Sequence, residues 1–190
     1  LVGNTGSGKT TITNLICRFY DVNEGEVLID GIDVRNYDKY ELRGNISIVM
    51  QEPFLFSDTI GNNIRLADPD ISEEEMIRAS EMVGADEFVR ELRSAYEEKL
   101  GERGTSLSVG QRQLLTFARA LAFDRKILVL DEATANIDTR TEALIQKALE
   151  AFMEGRTTFV IAHRLSTIEH ADKIVVLDEG RIAGLGPHEE

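Results

Sequence analysis

Gly3, Gly8, Lys9 and Thr10 stand in the spacing G-x-x-x-x-G-K-T at the start of the chain. In such a loop successive backbone N–H groups converge on one point and form an anion nest. The helix opening behind them adds the positive end of its dipole. Asn4, Thr5, Gly6 and Ser7 supply the intervening amides, and Thr11 follows in the same run. Glycine at Gly6 and Gly8 avoids strain in the turn and lets the phosphates approach. Lys9 is spaced to reach β- and γ-phosphates, and the Thr10 hydroxyl to ligate Mg²⁺. The spacing implies that a nucleoside triphosphate binds here.

Two further groups could act on that ligand. The apolar run Ile127-Leu128-Val129-Leu130 ends in Asp131-Glu132. Strand residues alternate sides, so successive carboxylates at a strand exit can serve two tasks. Asp131 can hold Mg²⁺ through its water shell, while Glu132 faces the water in line with the γ-phosphate. A positioned base contributes about 10²–10⁴-fold to rate. Within Leu107–Gln113, Ser108 and Gln111 have the Ser-x-x-Gln spacing of a capping box that opens a helix.

Leu107-Ser108-Val109-Gly110-Gln111 resembles the signature motif of ATP-binding-cassette (ABC) ATPases, whose usual form is Leu-Ser-Gly-Gly-Gln. In family order, Gln51 matches the Q-loop, Asp131-Glu132 the Walker B end, Ala135-Asn136-Ile137-Asp138 the D-loop and His163 the switch histidine. The resemblance covers essentially the whole chain. It implies ATP and Mg²⁺ as ligands, with Glu132, His163 and Gln51 catalytic and Thr10, Gln51 and Asp131 at the metal. It also implies a head-to-tail dimer of two such domains. Ser108, Gly110 and Gln111 would then face the nucleotide of the partner. The stretches Glu52–Ile60 and Gly101–Gly104 are most similar to the exporter branch, where they face a membrane domain. An exposed Phe54/Leu55/Phe56 cluster would suit such docking. Other readings are an importer ATPase or a non-transport ABC ATPase of translation or DNA maintenance.

These groups need a scaffold, and the alternation of patterns supplies one. A helix is expected over Thr10–Tyr20, a strand over Glu26–Gly31 ending in an Asp-Gly turn, and a strand over Ile46–Val49. Helices follow from Ser72, where Ser72-Glu73-Glu74-Glu75 has the spacing of a second capping box, from Asp86 to Leu92 and from Ser108 to about Phe123. A strand over 127–130, a helix over Asp138–Phe152, a strand over Thr157–Ile161, a helix from Ser166 and a strand over Lys173–Leu177 complete the order. Strands alternating with helices predict an α/β P-loop NTPase with a mainly parallel sheet. Residues 1–52 and 105–190 would form the core of one nucleotide-binding domain, and about 53–104 an inserted helical subdomain.

With 21 basic and 34 acidic residues among 190, the net charge is −13. That argues against a general nucleic-acid surface, which needs a basic stripe. The single cysteine, Cys17, lies in the apolar pattern Ile12, Leu15, Ile16, Phe19 and is expected to be a buried thiol. No apolar run approaches the roughly 20 residues of a membrane span. The chain opens without Met, directly before the phosphate loop, and is read as a fragment of a longer protein. The full-length protein would sit at the cytoplasmic face of the cell membrane, joined to a transmembrane domain.

Two departures from the family pattern carry expectations. Val109 replaces the first signature glycine after Ser108. A β-branched residue resists positive φ and holds the backbone away from phosphate. With Lys9, Asp131, Glu132 and His163 intact, this implies a heterodimer with one competent and one impaired site; the alternative is a homodimer that tolerates valine. Secondly, the family stacks adenine on an aromatic residue upstream of the loop, which this sequence does not include. Such stacking is worth about 1–3 kcal/mol, so the chain alone is expected to bind ATP weakly and discriminate poorly among bases.

Overall fold

The computed structural model describes residues 1–50, 52–131, 143–145, 153, 155–162 and 171–188. Its centre is β5 (Ile127–Asp131), flanked in parallel by β4 (Ile46–Val49) and β6 (Thr157–Ile161). An unbroken apolar strand of this kind is stable only with both faces covered. β1 (Val2–Gly3) pairs in parallel with β7 (Ile174–Asp178), and β8 (Arg181–Gly186) returns antiparallel to β7. Ala162 donates its N–H to Leu1 O at 3.1 Å, and Leu1 N donates to Val160 O at 2.5 Å. These bonds set β1 beside β6, giving the order β4-β5-β6-β1-β7-β8. The α/β class with a mainly parallel sheet is therefore as expected.

One layer of helices gathers around α6 (Val109–Ala122), which packs on α3 (Ile60–Arg65), α4 (Glu73–Met82), α5 (Ala85–Glu91) and β4. Its inner face buries Leu114, Leu115, Phe117, Ala118 and Leu121 against Ile60, Ile64, Met76 and Val89. Each large apolar side chain buried there contributes about 1.5–3 kcal/mol. α4 opens with the Ser72/Glu75 capping box that its sequence predicts. On the other side of the sheet, Cys17, Val34, Leu42, Ile46 and Val129 form a smaller cluster, and α2 (Lys39–Gly44), capped by Asp38, contributes Leu42. β2 (Leu28–Ile29) and β3 (Ile32–Asp33) form a hairpin whose central residues Asp30 and Gly31 have φ of 51° and 78°, as an Asp-Gly turn requires.

Several elements differ from the sequence reading. Helix α1 spans Lys9–Ile16 and does not run on to Tyr20. Arg18 turns left-handed, with Arg18 N–H on Leu15 O (3.0 Å) and Phe19 N–H on Asn14 O (2.8 Å). This is the paired-bond stop usually made by glycine; here Asp21 and Tyr37 O hold the Arg18 guanidinium. The short helices α2 and α3 and the strand β8 were not expected. The D-loop match, most of the expected helix Asp138–Phe152 and the start of the one from Ser166 lie outside the described residues, although Ala143–Ile145 is helical.

Candidate functional site

The phosphate loop leaves the end of β1 and enters α1. A Cβ on Gly3 would stand 2.2 Å from Leu177 O and 2.6 Å from Ser7 Oγ, so close packing alone demands glycine there. Gly8 is the N-cap of α1 with φ 104° and makes no side-chain cap bond. Among the described residues no side chain caps the first N–H groups of α1, and the first turn carries no acidic residue. That is the electrostatic state in which a helix N-terminus takes an anion. Gly6, also at positive φ, has no atom of the described residues within 4 Å of where a Cβ would stand.

Lys9 is 7% exposed, and its Nζ donates to Gly3 O at 2.7 Å and Asn4 O at 2.9 Å. The loop therefore curls around its own ammonium, turning two carbonyls inward. The third ammonium proton has no acceptor among the described residues. Ser7 Oγ is buried and equally without a partner. An orphaned hydroxyl, a spare ammonium proton and an uncapped helix start all fit a phosphate chain. Thr10 is exposed on the first turn of α1.

Asp131, at the end of β5, is in register with Ile161 of β6. With β1 beside β6, the ends of β5, β6 and β1 share the carboxyl edge of the sheet, where open α/β sheets hold ligands. The structure thus brings Asp131 to the same edge as the phosphate loop. Among the described residues no cluster of three or more His, Cys, Asp or Glu could hold a metal ion. A hydroxyl and one carboxylate suit Mg²⁺, which completes its shell with water and phosphate oxygens. Gln51, Glu132 and His163 lie outside the described residues.

The signature residues stand apart, at the tip of α6. Ser108 Oγ accepts the Gln111 N–H (3.1 Å), and Gln111 Oε1 accepts the Ser108 N–H (2.9 Å), completing the capping box. The Ser108 hydroxyl proton remains available to an anion. No hydrogen bond joins Ser108, Gly110 or Gln111 to the phosphate loop among the described residues. Val109 occupies the first helical position with an ordinary right-handed backbone, so positive φ is not asked of it. The strain expected from a β-branched residue is absent; only the bulk of its exposed side chain remains.

The Phe54/Leu55/Phe56 expectation splits. Leu55 is 1% exposed and belongs to the core, whereas Phe54 and Phe56 are 48% and 50% exposed. Their rings meet edge to face, with centroids 5.0 Å apart. Sequence reasoning missed Gly180, whose N–H donates to Ser7 O at 3.1 Å from the β7–β8 turn. The signal was present in Asp178-Glu179-Gly180, a turn sequence ahead of the apolar Ile182 and Leu185.

Residues 1–135 match the ABC transporter family. The chain is 57% identical over its whole length to a probable multidrug resistance ABC transporter ATP-binding/permease protein, YheH, of Bacillus subtilis (strain 168), covering 28% of that protein. It is 52% identical to an ATP-dependent lipid A-core flippase of Mannheimia succiniciproducens, again along its whole length and over 33% of the relative. A solved structure of a bacterial Atm1-family ABC exporter with ATP bound superposes with a TM-score of 0.91 at 44% identity, over 99% of this chain and 33% of the other. The chain therefore spans about a third or less of the relatives it matches. With the phosphate loop, the carboxylate strand end and the capped signature helix in place, the chain belongs to the ABC transporter family and is one of its ATP-binding domains.

Proposed function

We propose that this domain binds and hydrolyses Mg·ATP at the cytoplasmic face of the cell membrane and thereby powers export through a transmembrane domain of the same full-length chain. The observation that carries this is the phosphate loop curled around Lys9, with Ser7 Oγ and the α1 N-terminus lacking side-chain partners among the described residues. The names of the relatives, which include permeases, a flippase and an exporter, support the exporter reading over an importer or a non-transport ATPase.

Lys9 and the loop amides would hold the β- and γ-phosphates, releasing the Gly3 and Asn4 carbonyls that Lys9 now engages. Thr10, Gln51 and Asp131 would hold Mg²⁺, which would supply neutralisation of phosphate charge. Glu132 takes a proton from the attacking water, while Gln51 and His163 orient the water and the γ-phosphate. Ser108 and the Gly110 N–H act on the ATP of a second domain, with the N-terminus of α6 turned toward phosphate.

Val109 supports a heterodimer, because its exposed side chain adds bulk at the N-terminus of α6, the end that this reading turns toward the partner's γ-phosphate. The test is ATPase activity of the full-length protein, purified alone and co-expressed with candidate partner half-transporters, each with and without Val109→Gly. A heterodimer predicts activity that needs a partner, and a rise in the partner-site turnover on Val109→Gly. Full activity alone, unmoved by Val109→Gly, overturns the heterodimer.

A further inference from the structure

Asn63 of α3 is a polar side chain only 1% exposed, set inside the helical layer. Its Oδ1 accepts the Phe56 N–H at 2.7 Å, and its Nδ2 donates to Phe56 O and Thr59 O, each at 3.0 Å. One amide thus pins both ends of the Phe56–Thr59 turn. Arg119 reaches the same place from α6. Its Nε donates to Asn63 O at 2.7 Å and its Nη1 to Phe54 O at 3.1 Å. Among the described residues this guanidinium has no carboxylate partner, and burial alone lowers its pKa to about 10. An apolar side chain would pack here without the desolvation cost of a cation. A planar, forked donor reaches the two carbonyls from two separate nitrogens, Nε to Asn63 O and Nη1 to Phe54 O, whereas a lysine would have a methylene in place of Nε.

A second brace lies at the other end of the same unit. Arg112 donates to Leu107 O at 2.8 Å, and a Cβ on Gly104 would stand 2.9 Å from Leu55 Cδ1. The stretch before the signature therefore sits directly on the stretch that follows Gln51.

We infer that Asn63 and Arg119 are positioning residues that clamp the Phe54–Thr59 loop onto α6, so that this loop and the Ser108–Gly110 tip move as one body. A push on the exposed Phe54/Phe56 pair is delivered to the signature through hydrogen bonds, with no unfolding of the intervening chain. The functional meaning rests on the proposed role of Ser108 and Gly110 at a partner's ATP.

Hydrogen–deuterium exchange tests it on the full-length protein in lipid nanodiscs, carrying Glu132→Gln so that bound ATP persists, with and without ATP. In this parent, peptides covering 54–59 and 106–111 gain protection together when ATP is added. In Arg119→Met, 106–111 still gains protection, but 54–59 no longer follows and exchanges at least about tenfold faster, the loss expected for the one charge-assisted bond that holds Phe54 O. Peptides of α4 and α5 stay unchanged. Arg119→Lys keeps the charge but cannot span both carbonyls, so it gives the same split and serves if the Met variant does not fold. Unchanged exchange of 54–59 in the folded variants overturns the inference, as does a rise spread equally over α4 and α5. A parent in which 106–111 gains no protection overturns the partner-site reading itself, and the inference with it.

Discussion

Gly180, in the turn between β7 and β8, donates its N–H to Ser7 O at 3.1 Å, so the far hairpin of the sheet braces the phosphate loop from outside. The turn holds Gly180 at φ 76°, with no atom of the described residues within 4 Å of where a Cβ would stand. Gly180→Ala therefore costs backbone strain alone, about 1–2 kcal/mol, and weakens ATP binding by loosening the loop. Gly180→Asn, which tolerates that conformation, recovers most of the loss. Urea unfolding and calorimetric ATP titration read both; equal stability of the Ala variant would contradict the brace.

Lys9→Met removes the ammonium that holds Gly3 O and Asn4 O and the group expected on the phosphates. Charge-assisted bonds are worth about 1.5–3 kcal/mol each, so ATP affinity should fall by at least about tenfold. Titration with a non-hydrolysable ATP analogue checks this, and an unchanged Kd would remove Lys9 from the site.

Gly3→Ala forces a methyl group against Leu177 O, where the Cβ would stand at 2.2 Å. β1 and β7 must part or the loop must shift. Overpacking of this kind costs about 1–3 kcal/mol or more. Thermal unfolding should show it, while the same substitution at the unobstructed, right-handed Gly44 should be nearly silent.

Burial pushes the Cys17 thiol up to about 11, an effect the nearby Arg43 partly offsets. The folded protein holds that proton more tightly than the unfolded chain, whose thiol ionises near 8.5. The resulting stability is fully present below that pH and is lost as pH rises toward 11. Cys17→Ala should flatten the alkaline limb of a stability–pH curve. At pH 8 a thiol reagent should label Cys17 only at the rate of unfolding; rapid labelling of the native protein would contradict its burial.

The carboxylate strand, the phosphate loop and both capping boxes were legible because each is local: period, caps and turn residues lie within a few positions of one another. β8 was missed although its turn sequence was visible, because its exposed Ile182 and Leu185 carry no core pattern. The end of α1 was misplaced because Arg18 does the work of glycine, held by Asp21 and by Tyr37 O, nineteen residues away. The Asn63/Arg119 clamp joins residues 56 apart in sequence, and no spacing announces it. The strain expected at Val109 failed for the opposite reason: the helix had already begun there.

ATP hydrolysis by the full-length protein with its partner, compared with Glu132→Gln, tests the central claim most directly. The proposed chemistry predicts turnover that Glu132→Gln abolishes while ATP still binds. Turnover surviving Glu132→Gln would contradict the assigned base, and an intact complex that binds ATP without any turnover would contradict the ATPase itself.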